Sequence, residues 1–118
     1  MSRSPLEFLR HIHDELDYLA EEARVLDLHR LQADARARRA VVRSLEVIGE
    51  ATKHLPEDLR ARHSEVPWRV LTAMRDKMIH HYFGVDYEIV WDVLTTKVPD
   101  LQTQIRKVIE HEGSRQRG

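Results

Sequence analysis

Apolar residues recur at steps of three and four along most of the chain, and no run shows sustained alternation between turn signals. From Pro5 to about Arg24 the stripe is Leu6, Leu9, His13, Leu16, Ala20 and Ala23, the spacing of one face of an amphipathic helix. Ser4 and Pro5 give it a start, a hydroxyl able to cap free N–H groups followed by a proline suited to the first turn. Val25 to Leu31 breaks the register, and a second helix is predicted from about Leu31 to His54 on Ala33, Ala37, Val41, Leu45 and Ile48, with Leu55 just beyond. Gly49 lies inside it at a cost of roughly 1 kcal/mol against alanine, which points to a close backbone approach there. Pro56, Glu57 and Asp58 open a short helix that ends before His63, since acids favour the positive N-terminal end of the helix dipole. Pro67 opens the next, carrying Trp68, Leu71, Met74, Met78 and Ile79, with Gly84 as its stop. Asp86 caps a further helix on Ile89, Val90, Val93 and Leu94. Pro99 and Asp100 then restart the chain as a last helix on Leu101, Ile105, Val108 and Ile109, and Gly113 to Gly118 are expected to fray.

These elements predict an all-α fold, an antiparallel bundle of four to five helices. One domain spans 1–112 and a tail spans 113–118. Phe8, Ile12, Val42 and Val47 lie off the main stripes, a surplus of apolar surface of the kind that pairs helical bundles into homodimers.

Composition narrows the classes. A chain of 118 residues can bury roughly two-thirds of its unfolded surface in one core without a staple. The absence of cysteine removes disulfides, thiolate zinc sites, Fe–S clusters and thiol catalysis. With 33% charged residues and a mean hydropathy of -0.54, no window approaches the roughly 18 apolar residues of a membrane span. The first residues do not read as a signal peptide, so the expectation is a cytoplasmic protein. A net charge of -1 argues against a dedicated duplex-DNA binder, which needs clustered cations. The charge is nevertheless sorted. The segment to Glu22 is acidic, Arg24 to Arg43 is basic, Arg60 to Lys77 is basic again, and Asp86 to Asp92 is acidic. A sorted chain of this kind presents either ordinary solvated helix faces or a basic surface for phosphate flanked by acidic helices.

One stretch concentrates chemistry. Arg75-Asp76-Lys77-Met78-Ile79-His80-His81-Tyr82-Phe83-Gly84 sets a guanidinium, a carboxylate, two imidazoles and a phenol at a helix end. Asp76 and His80 are four apart and share a face, as do Arg75 and Tyr82, seven apart. Arg75 and His80 are roughly 140° apart on an ideal helix, so their cooperation requires a bend near His80, a reach by Arg75, or a two-fold dimer. Arginine and histidine without cysteine or an acid cluster fit phosphoryl transfer on RNA. Histidine takes the 2′-hydroxyl proton and the guanidinium fork holds the non-bridging oxygens as charge builds. Asp76 can orient His80, and Lys77 can add a phosphate contact. No metal or other cofactor is called for. Taken alone the spacing also fits a purely structural segment, with Met74, Met78, Trp68 and Trp91 in the core and Tyr82 a buried phenol. His80 and His81 point about 100° apart and lack the carboxylates that would complete a metal site. His11 and His13 are likewise separated, and His54 and His63 read as surface residues near helix ends.

Arg75-Asp76-x-x-x-His80-x-Tyr82 resembles the Arg-x4-His-x-Tyr signature of HEPN domains, specifically the HepT-like toxins of HEPN/MNT toxin–antitoxin pairs. Leu45 to Ala51, Val66-Pro67-Trp68, His81 to Asp86, Val90-Trp91 and Pro99-Asp100-Leu101 follow the same family pattern in order and spacing. The resemblance implies an all-helical homodimer whose paired motifs line an interfacial cleft, acting as a metal-independent endoribonuclease that arrests growth. Carried over by position, Arg75 and His80 become the catalytic pair. Tyr82 becomes the acceptor of AMP from a cognate MNT-type nucleotidyltransferase antitoxin, encoded by a neighbouring gene and able to join the toxin in a larger assembly. Many family members carry Asn after the motif arginine; Asp76 departs from that, adding negative charge near the phosphate site even as it orients His80. The RNA is unnamed by the sequence, tRNA and mRNA being the candidates, because no stacking platform or glycine-rich loop reads bases. The alternative function is a non-catalytic helical partner of a nucleotidyltransferase, or a nucleotide-binding module, that keeps the motif for packing and phosphate binding.

Overall fold

The computed structural model describes residues 4–79 and 86–117, with the backbone alone for 76–79. His80, Tyr82 and the expected helix stop Gly84 lie outside the described residues, as does the side chain of Asp76.

The described chain is helical and contains no strand, as the periodicity predicts. Helix α1 runs Pro5–Val25, and the Ser4 hydroxyl accepts the Glu7 N–H. Two aspartates then punctuate the chain. Asp27 caps α2 (Leu28–Ala33) by accepting the Arg30 N–H at 2.7 Å. Asp34 caps α3 (Ala35–Lys53), accepting from Arg36 and Ala37. The expected unbroken helix from Leu31 to His54 is therefore two helices. Asp34 adopts an extended backbone, and its carboxylate satisfies N–H groups that a continuous helix would have satisfied itself. Helix α4 is Glu57–Arg62 and α5 is Trp68–Ile79.

The last part of the chain departs from expectation at both ends. Asp86 caps α6 (Tyr87–Asp92), but Pro99 does not restart the chain. A π-helical stretch, Val93–Lys97, carries the axis straight into α7 (Val98–Arg117), and the Val98 N–H reaches back five residues to the Val93 carbonyl. A proline lacks an N–H and crowds the carbonyl four residues before it; widening the helix by one residue per turn just ahead of Pro99 relieves both demands. At the other end α7 stays helical through Gly113, where fraying was expected, because Glu112 and Gly113 are buried rather than solvated.

Helix α1 packs against α3 and α7, and α5 packs against α3. Leu6, Leu9, Ile12, Leu16 and Leu19 of α1 are all buried. Ile12 and Leu19 thus belong to the core, while His13 and Ala20, counted in the stripe, are half-buried at its margin. Val41, Leu45 and Ile48 of α3, Leu71 and Met74 of α5, and Val98, Leu101, Ile105 and Val108 of α7 complete the core. Each such side chain is stabilising by about 1.5–3 kcal/mol on burial.

A polar joint closes the bundle between α4 and α7. Glu112, 7% exposed, accepts from Arg62 Nη2 at 2.8 Å and faces His63 Nε2 at 2.7 Å. His63 is buried, not a surface residue. Trp68 Nε1–H donates to the carbonyls of both Arg60 and His63, fixing the turn that presents it. Burial pushes the Glu112 carboxyl up, but hydrogen bonds from Arg62, His63 and His111 outweigh it and hold the group at about 2 against its ordinary 4.5. A carboxyl depressed on folding contributes stability in full above the unfolded value, and that contribution is lost as pH falls through the folded one. The melting temperature should therefore drop between about pH 4.5 and 2, and Glu112→Gln should remove much of that dependence. An unchanged acid slope in the variant would show that Glu112 is not the group responsible.

Candidate functional site

The site grows out of the crossing of α3 and α5. Gly49 faces α5 without a side chain, and a Cβ built on it would lie 2.5 Å from the Arg75 Cβ and 2.9 Å from the Arg75 backbone nitrogen. The absence of a side chain at 49 is what lets the two helices meet, and the residue it meets is the motif arginine. The close approach expected at Gly49 from its cost in a helix has Arg75 as its partner.

Arg75 leaves this crossing to line a cleft of about 650 Å³ with Phe8, His11 and Glu15 of α1 and Arg43, Glu46, Val47 and Glu50 of α3. Its guanidinium is half-exposed and stands 3.1 Å from the half-exposed carboxylate of Glu50. Glu50 also lies 3.9 Å from His54 Nε2, and the His54 ring stacks on Phe8 with centroids 5.0 Å apart. Arg43 pairs with Glu46 across one helical turn at 3.4 Å. The cleft thus presents two guanidiniums, Arg75 paired with an exposed carboxylate and Arg43 with a half-buried one, beside the apolar side chains of Phe8 and Val47.

A second, shallower depression continues along α3 past Arg43 to Arg39 and Arg38, with Val42 between them and Tyr87 opposite. Arg38 stands over the Tyr87 ring, 5.9 Å from its centroid, and donates to the Gln32 carbonyl. The basic run of α3 therefore reaches the Arg75 cleft, as the charge sorting anticipates. One part of that expectation needs correction: Arg62 of the second basic stretch is committed to Glu112 and Asp58. Glu15 of the acidic first helix also lines the cleft. Phe8 and Val47 of the off-stripe apolar residues line the cleft as well, and Val42 the neighbouring depression.

Of the sequence-predicted site residues the structure places Arg75 and the helical backbone of Asp76; the relation of Arg75 to His80 and Tyr82 lies outside the described residues. Sequence reasoning missed Glu50 as the partner of Arg75. The signal available was its place beside Gly49, one residue from a helix crossing.

Residues 12–108 match the family model described as "Ribonuclease HepT-like". A protein of Caldanaerobacter subterraneus subsp. tengcongensis named "Putative RNase" is 41% identical over 110 residues, 93% of this chain and 98% of the relative. One of Methanocaldococcus jannaschii, also named "Putative RNase", is 51% identical over 77 residues, 65% of this chain and 64% of the relative. "Probable ribonuclease HepT" of Thermococcus cleftensis is 37% identical over 108 residues, 92% of this chain and 98% of the relative. No solved structure matches the chain.

Proposed function

The chain belongs to the HepT-like ribonuclease family, and from that premise we propose that it is the toxin of a HEPN/MNT toxin–antitoxin pair, an endoribonuclease that cleaves RNA with Arg75 and His80. The observation that carries this reading is the setting of Arg75. A motif guanidinium opens onto a cleft that Phe8 and Val47 help to line, and is held by an exposed carboxylate. An ion pair of that kind is worth at most about 1 kcal/mol, so a phosphate can take the fork at little cost.

In this mechanism His80 accepts the 2′-hydroxyl proton, and the 2′-oxygen forms a bond to phosphorus as the bond to the 5′-oxygen breaks. The departing oxygen takes up a proton from water while the His80 imidazolium returns its own to solvent, which leaves a cyclic phosphate and a 5′-hydroxyl. Arg75 holds the non-bridging oxygens while negative charge gathers on them. Asp76, one turn before His80, fixes the imidazole. Two protomers bring their motifs to one cleft, which supplies the approach that an ideal single helix denies to Arg75 and His80. A neighbouring-gene nucleotidyltransferase switches the site off by transferring AMP to Tyr82, placing phosphate charge and bulk where RNA must bind.

Purified protein should cleave bulk RNA or tRNA in the presence of EDTA, and His80→Ala should lose about 10²–10⁴-fold in rate, the span of a general base. Equal background in both would instead favour a non-catalytic partner of the nucleotidyltransferase. With that enzyme and ATP, the intact mass should rise by AMP units in the wild type and stay fixed in Tyr82→Phe. An unmodified wild type would refute the switch.

A further inference from the structure

Away from the Arg75 cleft, the joint between α4 and α7 carries groups that RNA cleavage does not use. His63 follows α4, and His111 and Glu112 stand in the last turns of α7. His63 Nε2 lies 2.7 Å from Glu112 Oε2, and His111 Nδ1 lies 3.2 Å from the same oxygen. Two imidazole nitrogens from different elements converge on one carboxylate oxygen, and both His63 and Glu112 are more than nine-tenths buried. We propose that His63, His111 and Glu112 form a binding site for one divalent transition-metal ion of the zinc class, which clamps the end of α7 to the turn after α4.

The donor set selects the ion. Two imidazoles and one carboxylate suit zinc and its neighbours, whereas magnesium and calcium ask for oxygen ligands throughout. The three candidate ligand atoms all lie within 4.8 Å of one another. Tetrahedral bonds of about 2.0–2.1 Å set neighbouring ligands about 3.3 Å apart. The His111 separation already has that value, and the His63 separation must open by about half an ångström, within the swing of a glutamate side chain. A metal ion and shared protons are thus alternatives at the same nitrogens.

The surroundings match what metal ligands require of their own partners. A ligating histidine usually turns its other nitrogen to a carboxylate, and a ligating carboxylate is itself hydrogen-bonded. His63 Nδ1 faces Glu65 Oε1 at 3.7 Å, and Arg62 donates to Glu112 Oε1 at 2.8 Å, leaning mainly on the oxygen the histidines do not share. The nearby charge also permits a cation. Glu112, Glu65 and Asp58 are set against Arg62 and Arg115, one carboxylate in excess. The His111 side chain is 56% exposed, so the cluster opens to solvent on that side and leaves a fourth position for water.

The test uses full-length, untagged protein stripped with chelator and titrated with Zn²⁺ or Co²⁺. Calorimetry should give one ion per chain, Co²⁺ should develop the visible bands of a low-symmetry site, and the melting temperature should rise with saturation. His111→Ala, which removes an exposed ligand and should lower the metal-free melting temperature only slightly, should weaken binding at least tenfold; His63→Gln should do the same. His13→Ala, in the separate His13, Asp14 and Asp17 group, should bind as the wild type does. Absence of one-to-one binding, undiminished affinity in His111→Ala, or loss of binding in His13→Ala would each overturn the proposal.

Discussion

Arg75→Ala should lower RNA cleavage by about 10²–10³-fold, the cost of removing one preorganised donor from a developing oxyanion, while leaving the fold in place. The second half of that expectation follows from exposure. The guanidinium is half in solvent and its partner Glu50 is 51% exposed, so the pair adds little to stability, and melting should move by only a few degrees. Arg75→Lys retains the charge but not the planar fork that meets two phosphate oxygens together, and it should recover only part of the loss. Glu50→Gln separates holding from catalysis. If Glu50 competes with phosphate for Arg75, the variant should bind RNA more tightly, with a lower KM and at most a few-fold change in kcat. Steady-state cleavage of a defined oligonucleotide, with parallel thermal melts, reads all three. Wild-type rates in Arg75→Ala would remove the arginine from the chemistry.

Sequence periodicity was sufficient for the long elements because each buries one face. The stripe Leu6, Leu9 and Leu16 defines α1, and Val41, Leu45 and Ile48 define α3, within a residue or two of where the structure ends them. It failed where a single side chain decides. Asp34 divides α2 from α3 with two side-chain hydrogen bonds that no apolar count records. Pro99 reads as a boundary, yet a π-helical stretch absorbs it without ending the helix. Fraying from Gly113 was a fair inference from composition, but Glu112 draws its stability from Arg62, 50 residues away. The same limit applies to the site. Arg75 was legible because its motif is local, whereas the Glu50–Arg75 contact joins two helices and depends on their crossing. His63 reads as a surface residue because it falls near a helix end; its burial with Glu112 depends on the adjacent Arg62, whose pairing with that distant carboxylate no local pattern records.

Gly49 makes that crossing, and two helical glycines of this chain should answer the same substitution with opposite signs. Alanine is favoured over glycine in a helix by roughly 1 kcal/mol, so Gly→Ala is stabilising wherever a methyl group finds room. At Gly113 the nearest atom to a new Cβ is the Arg117 Nη1 at 3.4 Å, the far end of a flexible side chain. Gly113→Ala should therefore raise stability by about 0.5–1 kcal/mol. At Gly49 the new Cβ would meet the Arg75 Cβ at 2.5 Å and its backbone nitrogen at 2.9 Å, and neither can swing aside. Helices α3 and α5 must separate by about an ångström, at an overpacking cost of about 1–3 kcal/mol that more than cancels the propensity gain. Because the atom displaced is the root of Arg75, activity should fall further than stability does. A misplacement of about 1 Å can cost about 10²-fold in rate, so Gly49→Ala should remain folded yet cleave poorly, and Gly49→Leu should fail to fold. Denaturant melts of the two alanine variants, with cleavage assays on the folded fraction, check both signs. A Gly49→Ala protein as stable and as active as the wild type would mean that the crossing tolerates a methyl group and does not set the position of Arg75.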